Sequence, residues 1–474
     1  KMAIPKEILE ISRPSSTRVK EQNGKYMVIK RTSVMKNGKP RPVELGVIGH
    51  IVDGRYVPKQ KRLNISTIEF KEFAGSTLAY RLSKDIFDML LEIYNIEQAK
   101  EIYTYALIRA IHGDVPDKEI GHFYHESFIS EYVPKVGVSK NTICVLLQSI
   151  GANLSTIQQF MRNRIKSVSS TDEVVIDGMH KINNSSGNSF LNFSFKSRLK
   201  GSKDIGIMYA FNPKTGEPLA SKVYAGNMLD STILSDFVKY FDIQEGVILG
   251  DKGFFTKENA KILNNESIQF LFPLKRNALV IDELSLLDFE DRLAIRDERI
   301  LIKKIKKGNT YYYAFKNLEL ESQQKTTKFE SLSKTDFDIQ AYREFEKEAG
   351  TIVFETNIDL DPNLIYEMYE RRWDIEVMFN YYKNIVDLSH TRKHKDISII
   401  GNEFINFITI LISTRIKKYM RSLELHKSYS YKGLFKILNS INKAKNVTTD
   451  WEFIKLTKKN TELLKVLSLI DIVD

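Results

Sequence analysis

A chain of 474 residues with 42% apolar and 11% aromatic side chains is long enough for about three domains and apolar enough for packed cores, which excludes a disordered polypeptide. Lysine and arginine outnumber aspartate and glutamate by 71 to 60, a formal charge of +11, and that balance favours a polyanionic partner such as nucleic acid. The single cysteine, Cys144, excludes an internal disulfide framework and every cysteine-based zinc module, and fits a reducing compartment.

Residues 1–66 read as a β-rich segment. Its stretches around Tyr26, Val43 and Arg55 alternate in polarity and are broken at Asn37-Gly38 and Asp53-Gly54, the signature of antiparallel strands joined by tight turns. Lys1 to Glu10 shows no apolar run of the signal-peptide kind. From about Ile68 the apolar residues recur at helical spacing, so residues 67–170 are expected to form a helical module that binds DNA. Within it, Lys118 to Tyr132 and a second helix capped by Ser139 resemble a helix-turn-helix, which would place Lys140, Asn141 and Gln148 toward a major groove. Two ordinary packed helices with a capped turn explain the same pattern.

Residues 171–275 follow a specific order. Strands are expected at Glu173 to Gly178, Phe190 to Phe195, Ile205 to Phe211, Leu219 to Tyr224, Gly246 to Gly250 and Ile268 to Pro273, with helices at Ser231 to Phe241 and Thr256 to Asn264. Three early strands and then alternating helix and strand describe a mixed sheet with helices packed on it, the ribonuclease-H-like order. Residues 276–352 lose the alternation and read as a β-rich insertion around a Gly308-Asn309 hairpin turn. In it Tyr311, Tyr312, Tyr313 and Phe315 stand beside Lys303, Lys304, Lys306 and Lys307. These are either stacking faces for bases or the packed residues of a hairpin. Residues 353–425 resume the core with a helix from Asp361-Pro362 to about Asn384 and a second over Asn402 to Arg421. Residues 426–474 read as a helical tail. The longest apolar stretch, Phe404 to Ile412, is about half a membrane span and is interrupted by Asn406 and Thr409, so no membrane is expected.

Asp177 follows the apolar run Val174-Val175-Ile176 and Asp251 follows Val247-Ile248-Leu249-Gly250. Carboxylates at the ends of adjacent strands can meet at one edge of a sheet, where repulsion between them is relieved by a divalent cation bound through oxygen. On the helix after Asp361, Tyr369, Arg372, Glu376 and Lys383 stand at i, i+3, i+7 and i+14, and at about 100° per residue they fall within roughly 60° of one another. One face thus carries an acid between two cations, beside a phenol. A solvated face with Arg372 paired to Glu376 is the alternative.

The run Tyr-x2-Arg-x3-Glu-x6-Lys over Tyr369, Arg372, Glu376 and Lys383 resembles the signature of the insertion-sequence transposases of the DDE superfamily, the branch with a β-rich insertion before the catalytic glutamate. The Asp177-Gly178 pair and Gly250-Asp251-Lys252-Gly253-Phe254 are similar to the first and second aspartate motifs of that group. The resemblance covers roughly residues 172–420 and implies an α/β, ribonuclease-H-like core interrupted by the insertion. It implies Asp177, Asp251 and Glu376 as catalytic residues and metal ligands for two Mg²⁺ (or Mn²⁺) ions. It implies DNA contacts from Tyr369, Arg372, Lys383, Lys252, His180 and Trp373. The expected partner is DNA, as terminal inverted repeats and target, gripped by a homodimer on paired ends in a prokaryotic cytoplasm, with cut-and-paste strand transfer as the reaction. A metal-dependent nuclease without strand transfer, and a DNA-binding protein with a vestigial core, are the competing readings. The 125 residues between Asp251 and Glu376 exceed what one helix, one strand and a connection use, which supports the insertion independently. His390 and His394 share an i,i+4 spacing but lack a third ligand, and they read with Arg392, Lys393 and Lys395 as a basic, DNA-facing stretch.

Overall fold

Asn-Gly and Asp-Gly dipeptides set the first part of the chain. Strands β1 (Thr17–Gln22), β2 (Lys25–Lys36), β3 (Lys39–Val52) and β4 (Arg55–Pro58) form an antiparallel meander. Asn23-Gly24 and Asp53-Gly54 supply the paired positive φ angles of two-residue hairpin turns. Val19, Val28 and Ile51 make its small core. The computed structural model describes residues 4–36, 39–59, 68–183, 187–193, 203–228, 230–254, 256–295, 298–332, 339–371, 390–446 and 449–470. The chain divides into two compact units, Lys1–Glu69 with Lys445–Asp450, and Phe70–Ala444 with Trp451–Asp474.

The second unit starts with helices α1 (Ala74–Leu91), α2 (Ile96–His112), α3 (Lys140–Ala152) and α4 (Leu154–Ile165). Ser139 caps α3 as the sequence predicts, its Oγ accepting from the Thr142 N–H at 3.1 Å. A mixed sheet follows, made of β5 (Glu173–Asn183), β6 (Lys203–Phe211), β7 (Pro218–Ala225), β8 (Val247–Leu249) and β9 (Gln269–Pro273), with α5 (Asp230–Phe241) and α6 (Lys257–Asn265) between the later strands. β7, β6 and β5 are antiparallel neighbours, while β5, β8 and β9 run parallel. Every residue of β6 after Lys203 is buried, the mark of a strand covered on both faces.

The strands of the predicted insertion extend this same sheet. β10 (Asp291–Ile295), β11 (Glu298–Lys307), β12 (Thr310–Asn317) and β13 (Thr351–Thr356) pair in series, and β13 pairs antiparallel with β9. Two helices that the sequence reading does not foresee, α7 (Leu318–Leu332) and α8 (Ile339–Glu348), stand between β12 and β13. A short strand β14 (His390–Thr391) pairs parallel with the end of β5.

Helix α9 (Asp396–Ser422) is 27 residues long, and by length and composition alone it could cross a bilayer. The 18-residue stretch that passes that test is 89% buried inside the unit, against α1, α2, α3 and β7. The helix is apolar nearly all round because it is enclosed. Its contact with α3 is a close backbone approach: a Cβ on Gly151 would lie 1.7 Å from the Ile397 carbonyl oxygen, and one on Gly401 2.0 Å from that of Leu147.

Candidate active site

Parallel pairing relates the two aspartates. The 74-residue offset that pairs Val247 with Glu173 and Leu249 with Val175 also relates Asp251 to Asp177. Asp251 and Asp177 each follow two residues beyond the last paired position of neighbouring strands that run about 4.8 Å apart. Each carboxylate is oriented by the next backbone amide: Gly178 N–H donates to Asp177 Oδ1 at 2.8 Å, and Lys252 N–H to Asp251 Oδ1 at 2.7 Å. Both side chains are half-buried. The glycine before Asp251 is a steric requirement, since a Cβ on Gly250 would lie 2.6 Å from the buried Phe272 ring.

One expectation is corrected here. Asp177 does not close its strand; it sits in the middle of the 11-residue β5. The antiparallel partner β6 keeps pairing as far as Ile182↔Asp204 and holds the strand extended. On its other edge β5 pairs with β8 only at Glu173 to Val175 and with β14 only from Ile182. Among the described residues, no strand covers residues 176–181 on that edge.

A groove of about 1450 Å³ lies beside Asp251. Lys252, Lys275, Arg276, Tyr369 and Arg371 share its lining with Asp251, while Asp177 does not line it. The sequence reading misses Lys275, Arg276 and Arg371. The first two follow β9, the next parallel strand, after Leu274, so applying the strand-end rule a third time would have found them. Arg371 reaches back to Glu173 at 3.0 Å. Burial pushes the Glu173 carboxyl up from its ordinary range, and the Arg371 guanidinium opposes that shift. This pair ties the helical residues 362–371 to the start of the strand that carries Asp177.

Tyr369 lines the groove, and its ring packs edge-on against Phe354, centroids 4.8 Å apart. His180 is half-buried on β5, three residues beyond Asp177. Arg372, Trp373, Glu376 and Lys383 lie outside the described residues, as does the side chain of His390. Among the described residues no cluster of three metal-ligating side chains occurs. The aspartate pair still suits a hard divalent cation: two carboxylates, one on β5 and one two residues past β8, with Asp251 making no ion pair among the described residues, are oxygen donors of the kind such an ion takes.

Of the hairpin tyrosines, Tyr312 and Tyr313 are packed, while Tyr311 is half-buried with Lys304 and Lys306 over its ring. Tyr313 is fully buried and donates to the Leu360 carbonyl at 2.8 Å, and Tyr312 is 8% exposed in a separate small core. Lys303 and Lys304 pair with Glu290 and Asp359.

Residues 192–412 match the family model described as a transposase DDE domain. The match supports a transposase. The matched segment contains Asp251 and Glu376, and begins 15 residues after Asp177. Among solved structures, the chain is similar to a piggyBac transposase in a synaptic complex with hairpin DNA, determined by cryo-EM. The identity is 14%, the alignment covers 77% of this chain and 79% of that one, and the TM-score is 0.40. No curated protein matches the chain.

Proposed function

We propose that this protein is the DNA transposase of a prokaryotic insertion sequence, cutting the element ends and joining them to target DNA from a ribonuclease-H-like core. The observation that carries the reading is the parallel pairing of β5, which holds Asp177, with β8, which leads into Asp251, in a chain whose residues 192–412 match the transposase DDE domain. The strand order β7, β6, β5, β8, β9, antiparallel for the first three and parallel for the rest, supports the core assignment.

In this reading Asp177, Asp251 and Glu376 hold two Mg²⁺ or Mn²⁺ ions through carboxylate oxygen. When bound, such ions lower the pKa of an attacking water and neutralise the scissile phosphate. The chain's own part is to bind and orient. The backbone amides of Gly178 and Lys252 fix the two carboxylates before substrate arrives. Lys252, Lys275 and Arg276 line the groove as cations for the phosphates of the strand beside Asp251. Arg372 and Lys383 are assigned the same task on either side of Glu376 from their spacing, with His180, Tyr369 and Trp373 as neighbouring DNA contacts. A dimer gripping two ends completes the scheme.

The test is a plasmid carrying the gene with its native flanking DNA, scored for excision and for reintegration. Asp177→Asn, Asp251→Asn and Glu376→Gln are each expected to lower both by roughly 100-fold or more, the scale of losing an electrostatic group at a reacting centre. Wild-type frequencies in any one of them would remove that carboxylate from the scheme. Cutting without reintegration in the wild type would make the protein a nuclease.

A further inference from the structure

A second basic site lies on the helical side of the same unit. A small cavity of about 240 Å³ is bounded by the loop after α2, the first residue of α3 and the segment before α9. Five cations line it, Arg109, Lys118, Lys140, Arg392 and Lys393, against two carboxylates, Asp114 and Asp117. The carboxylates are engaged: Asp117 pairs with Arg109 at 3.7 Å and with Lys393, and Asp114 with Arg392 at 3.9 Å. Lys118 and Lys140 are exposed and meet no carboxylate among the described residues. Arg109 is 3% exposed, and its Nε has no hydrogen-bond acceptor. Its Nη1 donates to Asn406 Oδ1 at 2.9 Å, so the guanidinium is fixed as part of the cavity wall and the open cations of the notch are Lys118 and Lys140.

Lys140 also opens the 13-residue helix α3, whose N-terminal amides and dipole favour an anion. The face of α3 turned away from α9 presents Asn141, Cys144, Val145 and Gln148 at i, i+3, i+4 and i+7. Cys144 is exposed, and Val145 is 67% exposed. A large apolar residue left in water on a polar helix face, beside a cationic notch, suits a helix that enters a groove while the notch holds the flanking backbone.

From these features we infer that the notch formed by Arg109, Lys118, Lys140, Arg392 and Lys393 binds a backbone phosphate of duplex DNA and seats the exposed face of α3 on that duplex. The inference rests on the DNA reading above and adds an anchoring site on the helical side of the unit. It joins two basic segments about 250 residues apart in sequence.

The experiment uses the full-length protein, a short DNA duplex, and the single thiol Cys144 as a reporter. For Lys118→Gln combined with Lys140→Gln, the slope of log K against log salt is expected to become shallower by about 2, with binding roughly tenfold weaker. Duplex should slow maleimide alkylation of Cys144 in the wild type, and that protection should be lost in the double variant at the same DNA concentration. An unchanged slope, or Cys144 alkylated equally fast with and without duplex, overturns the notch while leaving the DNA reading standing. A wild-type protein that binds no duplex overturns both. If orthophosphate binds the wild type and not the double variant while duplex leaves Cys144 unprotected, the notch takes a free anion and the duplex assignment fails.

Discussion

Two carboxylates near the central strand are held in opposite ways. Glu403 of α9 is buried against Lys181, Nζ to Oε2 at 2.5 Å, with side chains 3% and 1% exposed. It also accepts from the Asn406 and Asn402 amides. Asp251 lies half-buried on a groove with its Oδ1 held by a backbone N–H and no ion pair among the described residues. Lys181 is only four residues beyond Asp177 on β5, so one strand carries a charge matched inside the protein and another beside the strand that leads into Asp251. A buried charge has to bring its counter-charge with it. A carboxylate at a strand end keeps its charge available for something that arrives later.

The largest expected effect breaks the matched side. Glu403→Ala leaves Lys181 buried without its partner and should cost about 3–5 kcal/mol in a urea-unfolding series. Replacing both, Lys181→Met with Glu403→Leu, should recover most of that loss. Asp251→Asn should leave the unfolding midpoint almost unchanged, and a loss as large as that of Glu403→Ala would erase the distinction between the two carboxylates.

A third carboxylate sharpens the comparison. Glu72 lies just ahead of α1 and is buried with no ion pair among the described residues, accepting from the Gly75 and Ser76 amides. Burial pushes its pKa up to about 7, against an ordinary 4.5. Because the folded value is the higher one, the folded state binds the proton more tightly. Its contribution is fully present below about pH 4.5 and is lost as pH rises toward 7, on the order of 3 kcal/mol in all. Glu72→Gln should remove that slope from the stability-pH profile between those limits. A profile of the same slope in Glu72→Gln would mean another group titrates there.

Much of the fold was legible because its signals are local. The Asp53-Gly54 turn, the Ser139 cap and the strand order from Glu173 to Pro273 all depend on residues within one element or its turn. Thr256 caps α6 in the same way, its Oγ1 accepting from the Asn259 N–H. What escaped is set by partners distant in sequence. Asp177 sits mid-strand because β6 goes on pairing beyond it. Residues 291–317 extend the main sheet because β13 returns to β9, and a hairpin's own alternation does not reveal its neighbour. Helix α7 is rich in charged and polar residues and its apolar period is faint, whereas α8 is strongly amphipathic but only ten residues long. The pairing of Lys181 with Glu403, and the meeting of Lys140 with Arg392, span more than 200 residues. For the candidate site, Asp251 was readable as a residue just past a strand end, while the mid-strand place of Asp177 was not. The groove cations Lys275 and Arg276 were passed over because they carry no motif.

The most direct test of the central claim is anomalous diffraction from crystals of the full chain with DNA, soaked in Mn²⁺. The account predicts a peak shared by the carboxylates of Asp177, Asp251 and Glu376. Carboxylates too far apart to share an ion in the DNA-bound crystal, with no peak at Asp177 or Asp251, would contradict it.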